Sequence, residues 1–428
     1  MPRSPEEIRK EIHRLVAEYF SLGLSAPPAG RLPLVAPAYG PEEVNESIDS
    51  LLSTFVTMGE KVFEFERRFA KRVGAAEAVM VNSGSSANLL ALAALANPAF
   101  EGPLKPGDEV IVPAVTWSTS VWPIVQVGAV PVLADVSLET LCLDAASIEK
   151  ALSPKTKAVM PVHLLGNACD MQAVKEIAKK KGLFVIEDTC EALGTEQDGK
   201  VVGTFGDFGT YSFYFSHHIT TIEGGMVVTS DPAKAELVRI LRAHGWIRDA
   251  KGKKDLAGKN PEIDPRFLFV NLGFNLRPTD IQGAFGLHQL PRLDPFNDVR
   301  RRNAEVWLSR LAPWKKWLRT TRPERGTRHT WFAFPLLVEP KAPFTRKQLS
   351  EFLESKGIET RPVVAGNLAR QPAFKHVQHR VAGDLPNSQA IMERGLFFGN
   401  HGILSPEDCE RVAKTLEEFL SRHGSPGA

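Results

Sequence analysis

Leu183-Phe184-Val185-Ile186-Glu187-Asp188-Thr189-Cys190-Glu191 decides how this chain is read. Four apolar residues in a row, without polar alternation, read as a strand buried on both faces. The run then breaks into three carboxylates. Working outward, short apolar strand candidates recur at 78–81, 109–112, 130–133, 158–162 and 226–229, with helical stretches such as 86–95 and 171–181 between them. Doubly covered strands that alternate with helices predict an α/β fold with a mainly parallel central sheet, whose ligands sit at the carboxyl ends of the strands.

Further out, Val62, Phe65, Phe69 and Val73 mark a helix closed by Gly74. Beyond about Arg292, a helix over 347–355 closed by Gly357 mixes with a strand over 332–338, which predicts a smaller C-terminal α+β domain. Ile8, Ile12, Leu15 and Tyr19 fall at helical spacing, so an amphipathic helix is expected at the N-terminus, followed by a Pro/Gly-rich linker over 26–41. The expected organisation is 1–32 as helix and linker, 33–291 as the large domain and 292–428 as the small one.

Composition narrows the function. Apolar residues make up 43% and charged residues 24% of 428, ordinary globular usage that argues against disorder. Lys plus Arg number 52 against 50 Asp plus Glu, a balance that argues against a nucleic-acid binder working through a basic face. No apolar run reaches the ~18 residues of a membrane span. The charged N-terminus lacks a signal-peptide core, so the expected location is cytoplasmic. The four cysteines (Cys142, Cys169, Cys190, Cys409) are too scattered for a zinc knuckle or a disulfide framework.

Three segments carry candidate chemistry. The acids after Ile186 are costly unless they meet a cation, such as the protonated ring nitrogen of a pyridine cofactor; solvated loop acids are the alternative. Val81-Asn82-Ser83-Gly84-Ser85-Ser86-Ala87-Asn88 leaves a strand and opens a helix, which suits a phosphate at the helix N-terminus or simply a Ser-capped turn. It is not a dinucleotide fingerprint. Thr210-Tyr211-Ser212-Phe213-Tyr214-Phe215-Ser216-His217-His218 pairs two histidines, but no further Cys or His stands at zinc-site spacing beside them.

In this order and spacing, together with Phe63-Glu64-Phe65-Glu66 and Gly273-Phe274-Asn275-Leu276-Arg277-Pro278-Thr279, the segments resemble the DegT/DnrJ/EryC1/StrS family of fold-type-I pyridoxal-phosphate enzymes, from about Pro33 to the C-terminus. The resemblance implies that Gly84, Ser85 and Ser212 bind the cofactor phosphate and that Asp188 pairs with the pyridine nitrogen. It implies that Trp117 stacks on the ring and that Glu191 lies near the 3-hydroxyl. Asn275 would reach the neighbouring subunit's site in a homodimer.

One departure sets the expected reaction. The family's aminotransferases carry a lysine, covalently linked to the cofactor, where this chain has His217, and His218 supplies no lysine either. An imidazole holds no aldehyde covalently but shuttles protons near neutral pH. The substitution resembles the family's 3-dehydratase branch. There, non-covalent pyridoxamine phosphate (PMP) or pyridoxal phosphate (PLP) acts on a nucleotide-linked 4-keto-6-deoxyhexose, and His217 would be the acid/base. The implied substrate is GDP-4-keto-6-deoxymannose, with the CDP-glucose equivalent or an aminotransferase reaction as alternatives. A non-catalytic cofactor-binding regulator is the different-class alternative. An iron–sulfur sub-branch needs cysteines that 242–267 lacks. L-Glutamate, which regenerates PMP in the other sub-branch, is the expected electron source, and the Phe215–Ile219 and Gly395–His401 stretches resemble that sub-branch.

Overall fold

The computed structural model describes residues 2–23, 30–36 and 38–425. The expected linker over 26–41 lies outside the described residues at 26–29 and 37.

Strand β1 (Glu77–Val81), β2 (Glu109–Pro113), β3 (Val130–Ala134), β4 (Thr156–Val159), β5 (Phe184–Asp188), β6 (Phe208–Ser212) and β7 (Gly225–Thr229) build the large sheet. The order is β1-β7-β6-β5-β4-β2-β3, and all neighbours run parallel except β7, which is antiparallel to β1 and β6. Almost every residue of these strands is buried, which is why they lack alternation. The sequence reading did not mark β6. Gly209, Thr210 and Ser212 dilute its apolar run, and a side chain at Gly209 would collide with the Gly203 carbonyl.

Helices α1 (Pro5–Ser21), α2 (Pro41–Leu52), α3 (Glu60–Val73), α4 (Gly84–Leu95), α5 (Met171–Lys181) and α6 (Pro232–Arg242) precede α7 (Asp280–Gln289) and the long α8 (Leu293–Leu311). Gly74 and Gly182 close α3 and α5 in the left-handed conformation, where a missing Cβ removes the steric penalty. Beyond α8, β8 (Leu318–Thr320), β9 (Ala333–Val338), β10 (Thr360–Pro362) and β12 (Gly395–Gly399) form an antiparallel sheet in the order β8-β9-β12-β10. It packs with α8, α9 (Arg346–Ser355) and α10 (Pro406–Ser421) around Trp307, Phe334 and Phe398. The chain crosses between the two units more than once. Leu32 is buried in the small unit, whereas β11 (Arg380–Val381) pairs with β3 at the edge of the large sheet.

A buried ion pair ties α3, β1 and α6 together behind the sheet. Arg242 is fully buried; its Nη1 donates to Glu66 Oε1 (2.6 Å) and to the Met80 carbonyl (2.7 Å), while the Met80 amide donates to the same carboxylate. Arg242→Met leaves that carboxylate buried and uncompensated. The expected loss, read by urea unfolding, is about 3 kcal/mol.

Candidate active site

The carboxyl ends of β1, β5 and β6 open into a cavity of about 610 Å³, a size suited to a cofactor with part of a substrate. The cavity brings together Gly84, Ser85, Trp117, Asp188, Glu191, Ser212 and His217 from across 134 positions of sequence, Gly84 to His217 counted inclusively.

The phosphate-sized corner is made by α4. Ser83 caps the helix, its hydroxyl accepting from the Ser86 amide, so the first amides of the helix stay free for an anion. Gly84 is required by closeness: a Cβ there would sit 2.5 Å from Ser212 Cβ and 3.1 Å from Cys190 Sγ. Ser85 is exposed beside it and donates to Thr119 Oγ1 (3.0 Å). Trp117 leaves 61% of its surface uncovered at the rim, an unusual exposure for an indole that a flat ring would bury.

Asp188 is almost wholly buried at the floor. Its Oδ2 accepts from Asn88 Nδ2 (2.8 Å) and Ser120 Oγ (2.7 Å), and its Oδ1 from the Cys190 amide (3.1 Å). Thr210 in turn donates to Asn88 Oδ1 (2.5 Å), and Thr116 donates to the Ser120 hydroxyl (2.8 Å). A carboxylate held by three donors from three segments is a fixed negative charge, the complement of a protonated heterocyclic nitrogen. Glu191 also faces the cavity and accepts from the Leu165 amide (2.9 Å); burial pushes its carboxyl up to about 7.

The third acid corrects the sequence reading. Glu187 neither meets a cation in the cavity nor faces solvent: it is fully buried, outside the cavity lining. Its oxygens accept from the amides of Gly203, Phe205 and Gly206 at 2.6–2.7 Å. His163 joins them through Nε2 (3.2 Å), its Nδ1 being occupied as acceptor from the Cys169 amide. The desolvation cost of this carboxylate is met by backbone donors of the Gly203–Gly206 turn.

His217 sits at the cavity wall in a turn closed by its own amide on the Tyr214 carbonyl. Ser216 Oγ is 3.4 Å from its Nδ1, and Phe332 packs against its ring at 5.3 Å between centroids. Burial, followed by the charge of Arg300, holds its imidazole down at about 4, so it is a neutral base. Asn275 is not brought into this chain's cavity. It is exposed, its Oδ1 accepting from Arg277 Nε (3.1 Å). Asn88, Ser120 and Phe332 line the cavity without having been singled out as site residues by the sequence, and Arg361 lines it as well. Asn88 did leave a trace, as a polar residue in the otherwise apolar run that follows it in α4.

Free helix amides, a fixed carboxylate and an uncovered indole around one cavity fit a flat, phosphorylated, cationic ring. The comparisons agree. The sequence profile of the DegT/DnrJ/EryC1/StrS aminotransferase family matches residues 37–417. GDP-4-keto-6-deoxy-D-mannose 3-dehydratase of Yersinia pseudotuberculosis is 38% identical over 398 residues, covering 90% of this chain and 98% of that protein. The structure of the E. coli GDP-4-keto-6-deoxy-D-mannose-3-dehydratase with bound hydrated PLP shares 37% identity at a TM-score of 0.85, covering 90% of this chain and 99% of that one. A structure of GDP-4-keto-6-deoxymannose-3-dehydratase with a trapped PLP-glutamate geminal diamine matches at the same TM-score and identity, covering 90% and 100%. Both units and the cavity between their segments fall within these matches, and the chain belongs to the DegT/DnrJ/EryC1/StrS aminotransferase family.

Proposed function

We propose that this protein is a PMP-dependent enzyme that replaces the C3 hydroxyl of a nucleotide-linked 4-keto-6-deoxyhexose by hydrogen, with GDP-4-keto-6-deoxymannose as the substrate. L-Glutamate is the proposed reductant: the sugar loses one oxygen, and glutamate leaves as 2-oxoglutarate and ammonia. The observation that carries the reading is at position 217. A histidine occupies the place of the family's lysine, and no lysine lines the cavity among the described residues.

When bound, the cofactor supplies an amine for the sugar ketone and a conjugated ring that takes up electrons. The chain supplies the rest. Gly84 and Ser85 offer amides to the phosphate, Ser212 a hydroxyl, and Trp117 a face for the ring. Asp188, fixed by Asn88 and Ser120, keeps the ring nitrogen protonated. His217, whose Nδ1 lies 3.4 Å from Ser216 Oγ, takes a proton from carbon and returns it. Of the four cysteines only Cys190 lines the cavity, and one thiol cannot hold a four-ligand cluster. A homodimer is part of the proposal. Leu272, 90% exposed, with the exposed rings of Phe267 and Phe269, stands beside Asn275 and would set that residue toward a neighbouring site. No described helix is long and apolar enough to cross a membrane, and a cytoplasmic location fits nucleotide-sugar chemistry.

The expected result is a 3-deoxy sugar, with stoichiometric 2-oxoglutarate, when the PMP-loaded protein meets GDP-4-keto-6-deoxymannose and L-glutamate. In PLP-loaded protein the cofactor's absorption should also pass from its aldehyde to its amine form on glutamate alone. A stable 4-amino sugar as the sole product would overturn the dehydratase assignment, and a cofactor spectrum indifferent to glutamate would overturn the reductant.

A further inference from the structure

His217 also lines a second, enclosed cavity with room for one water-sized body, which it shares with His218, Gln289, Arg300 and His401. Arg300, on α8, is nearly completely buried. Its Nε donates to the Asn400 carbonyl (3.0 Å) and its Nη1 reaches Asn297 Oδ1 (3.5 Å). Asn400 is itself fixed by Asn303 and by the Arg300 and Trp331 carbonyls. Every one of these partners is neutral, and among the described residues no carboxylate forms an ion pair with Arg300. A buried cation without a counter-charge is expensive.

A chain of hydrogen bonds behind the cavity fixes the His218 tautomer. Thr195 Oγ1 lies 2.7 Å from the Gly166 carbonyl and must donate to it, so it accepts from Thr330 Oγ1 (2.8 Å). Thr330 Oγ1 has then spent its proton and accepts from His218 Nε2 (3.0 Å). That assigns the His218 proton to Nε2 and leaves its buried, unpartnered Nδ1 as a bare acceptor. Since no carboxylate among the described residues pairs with the guanidinium, its positive charge acts on the imidazoles that share the cavity.

We propose that Arg300 is a positioning residue whose uncompensated guanidinium, added to the larger effect of burial, disfavours the protonated form of the His217 imidazole and leaves it free to accept a proton in the resting enzyme. The proposal rests on the reading of His217 as the proton-transfer group. The groups facing His217 are accounted for. On the enclosed side stand Arg300, His218 and His401; on the open side stand Asp188, Cys190, Glu191, Tyr214, Glu223 and Arg361. The charge of Arg300 lowers the basicity of His217, His218 and His401 alike, second to burial in each case, as expected for a field centred on the shared cavity.

The test is the pH titration of His217 by NMR on histidine-labelled full-length protein, its signal identified by its loss in His217→Asn. Arg300→Met should raise the midpoint by about half a pH unit or more, and Arg300→Lys should restore it. An unchanged midpoint in folded Arg300→Met overturns the proposal. If that variant does not fold, Asn297→Asp places a carboxylate against the guanidinium and should raise the midpoint similarly; no movement there also overturns it. The readout needs no sugar turnover, so a failure of the dehydratase assignment would leave this titration unaffected.

Discussion

His217→Asn abolishes formation of the 3-deoxy sugar, lowering turnover at least ~10³-fold, while cofactor still binds and the protein still folds. The large effect follows from the absence of a substitute. Among the groups that line the cavity, Asp188 is committed to three donors and Glu191 to an amide, and the partly buried Cys190 thiol is pushed well above its ordinary value by desolvation and by Asp188. Stability is spared because no strong bond is lost: the one polar contact of the His217 ring is a 3.4 Å approach to Ser216. His217→Lys is the sharper companion. It returns the family's amine to the wall, so the cofactor should become covalently attached and survive dialysis after borohydride reduction, while 3-deoxy product disappears. Retention of dehydratase activity in either variant would remove His217 from the chemistry.

The part of this site that could be read from sequence is the part made by local chain. The strand run ending in Ile186 and the Ser-Gly-Ser turn signal themselves within ten residues, because burial on both faces and a helix start each leave a local pattern. Helix 171–181 appears as Met171–Lys181, since Asp170 caps one end and Gly182 the other. Where the reading stopped, distance in sequence is the cause. Asn88 and Ser120 act on Asp188 from 100 and 68 positions away; Asn88 shows only as a polar position ahead of an apolar run, and Ser120 has no signal until the sheet brings the ends of its strands together. Arg300 heads the run Arg300-Arg301-Arg302, which by composition reads as a solvated face; only the packing of α8 turns its first member inward. Glu187 shows the converse error. It shares a strand end with Asp188, but neighbouring positions on a strand face opposite ways, and the two acids separate into a turn anchor and a cavity charge.

Asp188→Asn should lower turnover by roughly 10²–10³-fold with nearly unchanged folding, because the side chain keeps its shape and loses its charge. The amide oxygen can still accept from Asn88 and Ser120, but the new NH₂ faces the Cys190 amide, a donor against a donor worth about 1 kcal/mol. The catalytic loss has a different origin. Without a fixed anion at the floor of the cavity, a pyridine nitrogen there has no reason to stay protonated, and an uncharged ring draws electrons weakly. The two effects separate by reconstitution. A cofactor methylated on its ring nitrogen is cationic whatever residue 188 is, so it should return part of the lost rate to Asp188→Asn and none to His217→Asn. Rescue of both, or of neither, would mean that Asp188 acts by holding Asn88 and Ser120 in place and that its charge is not what the reaction uses.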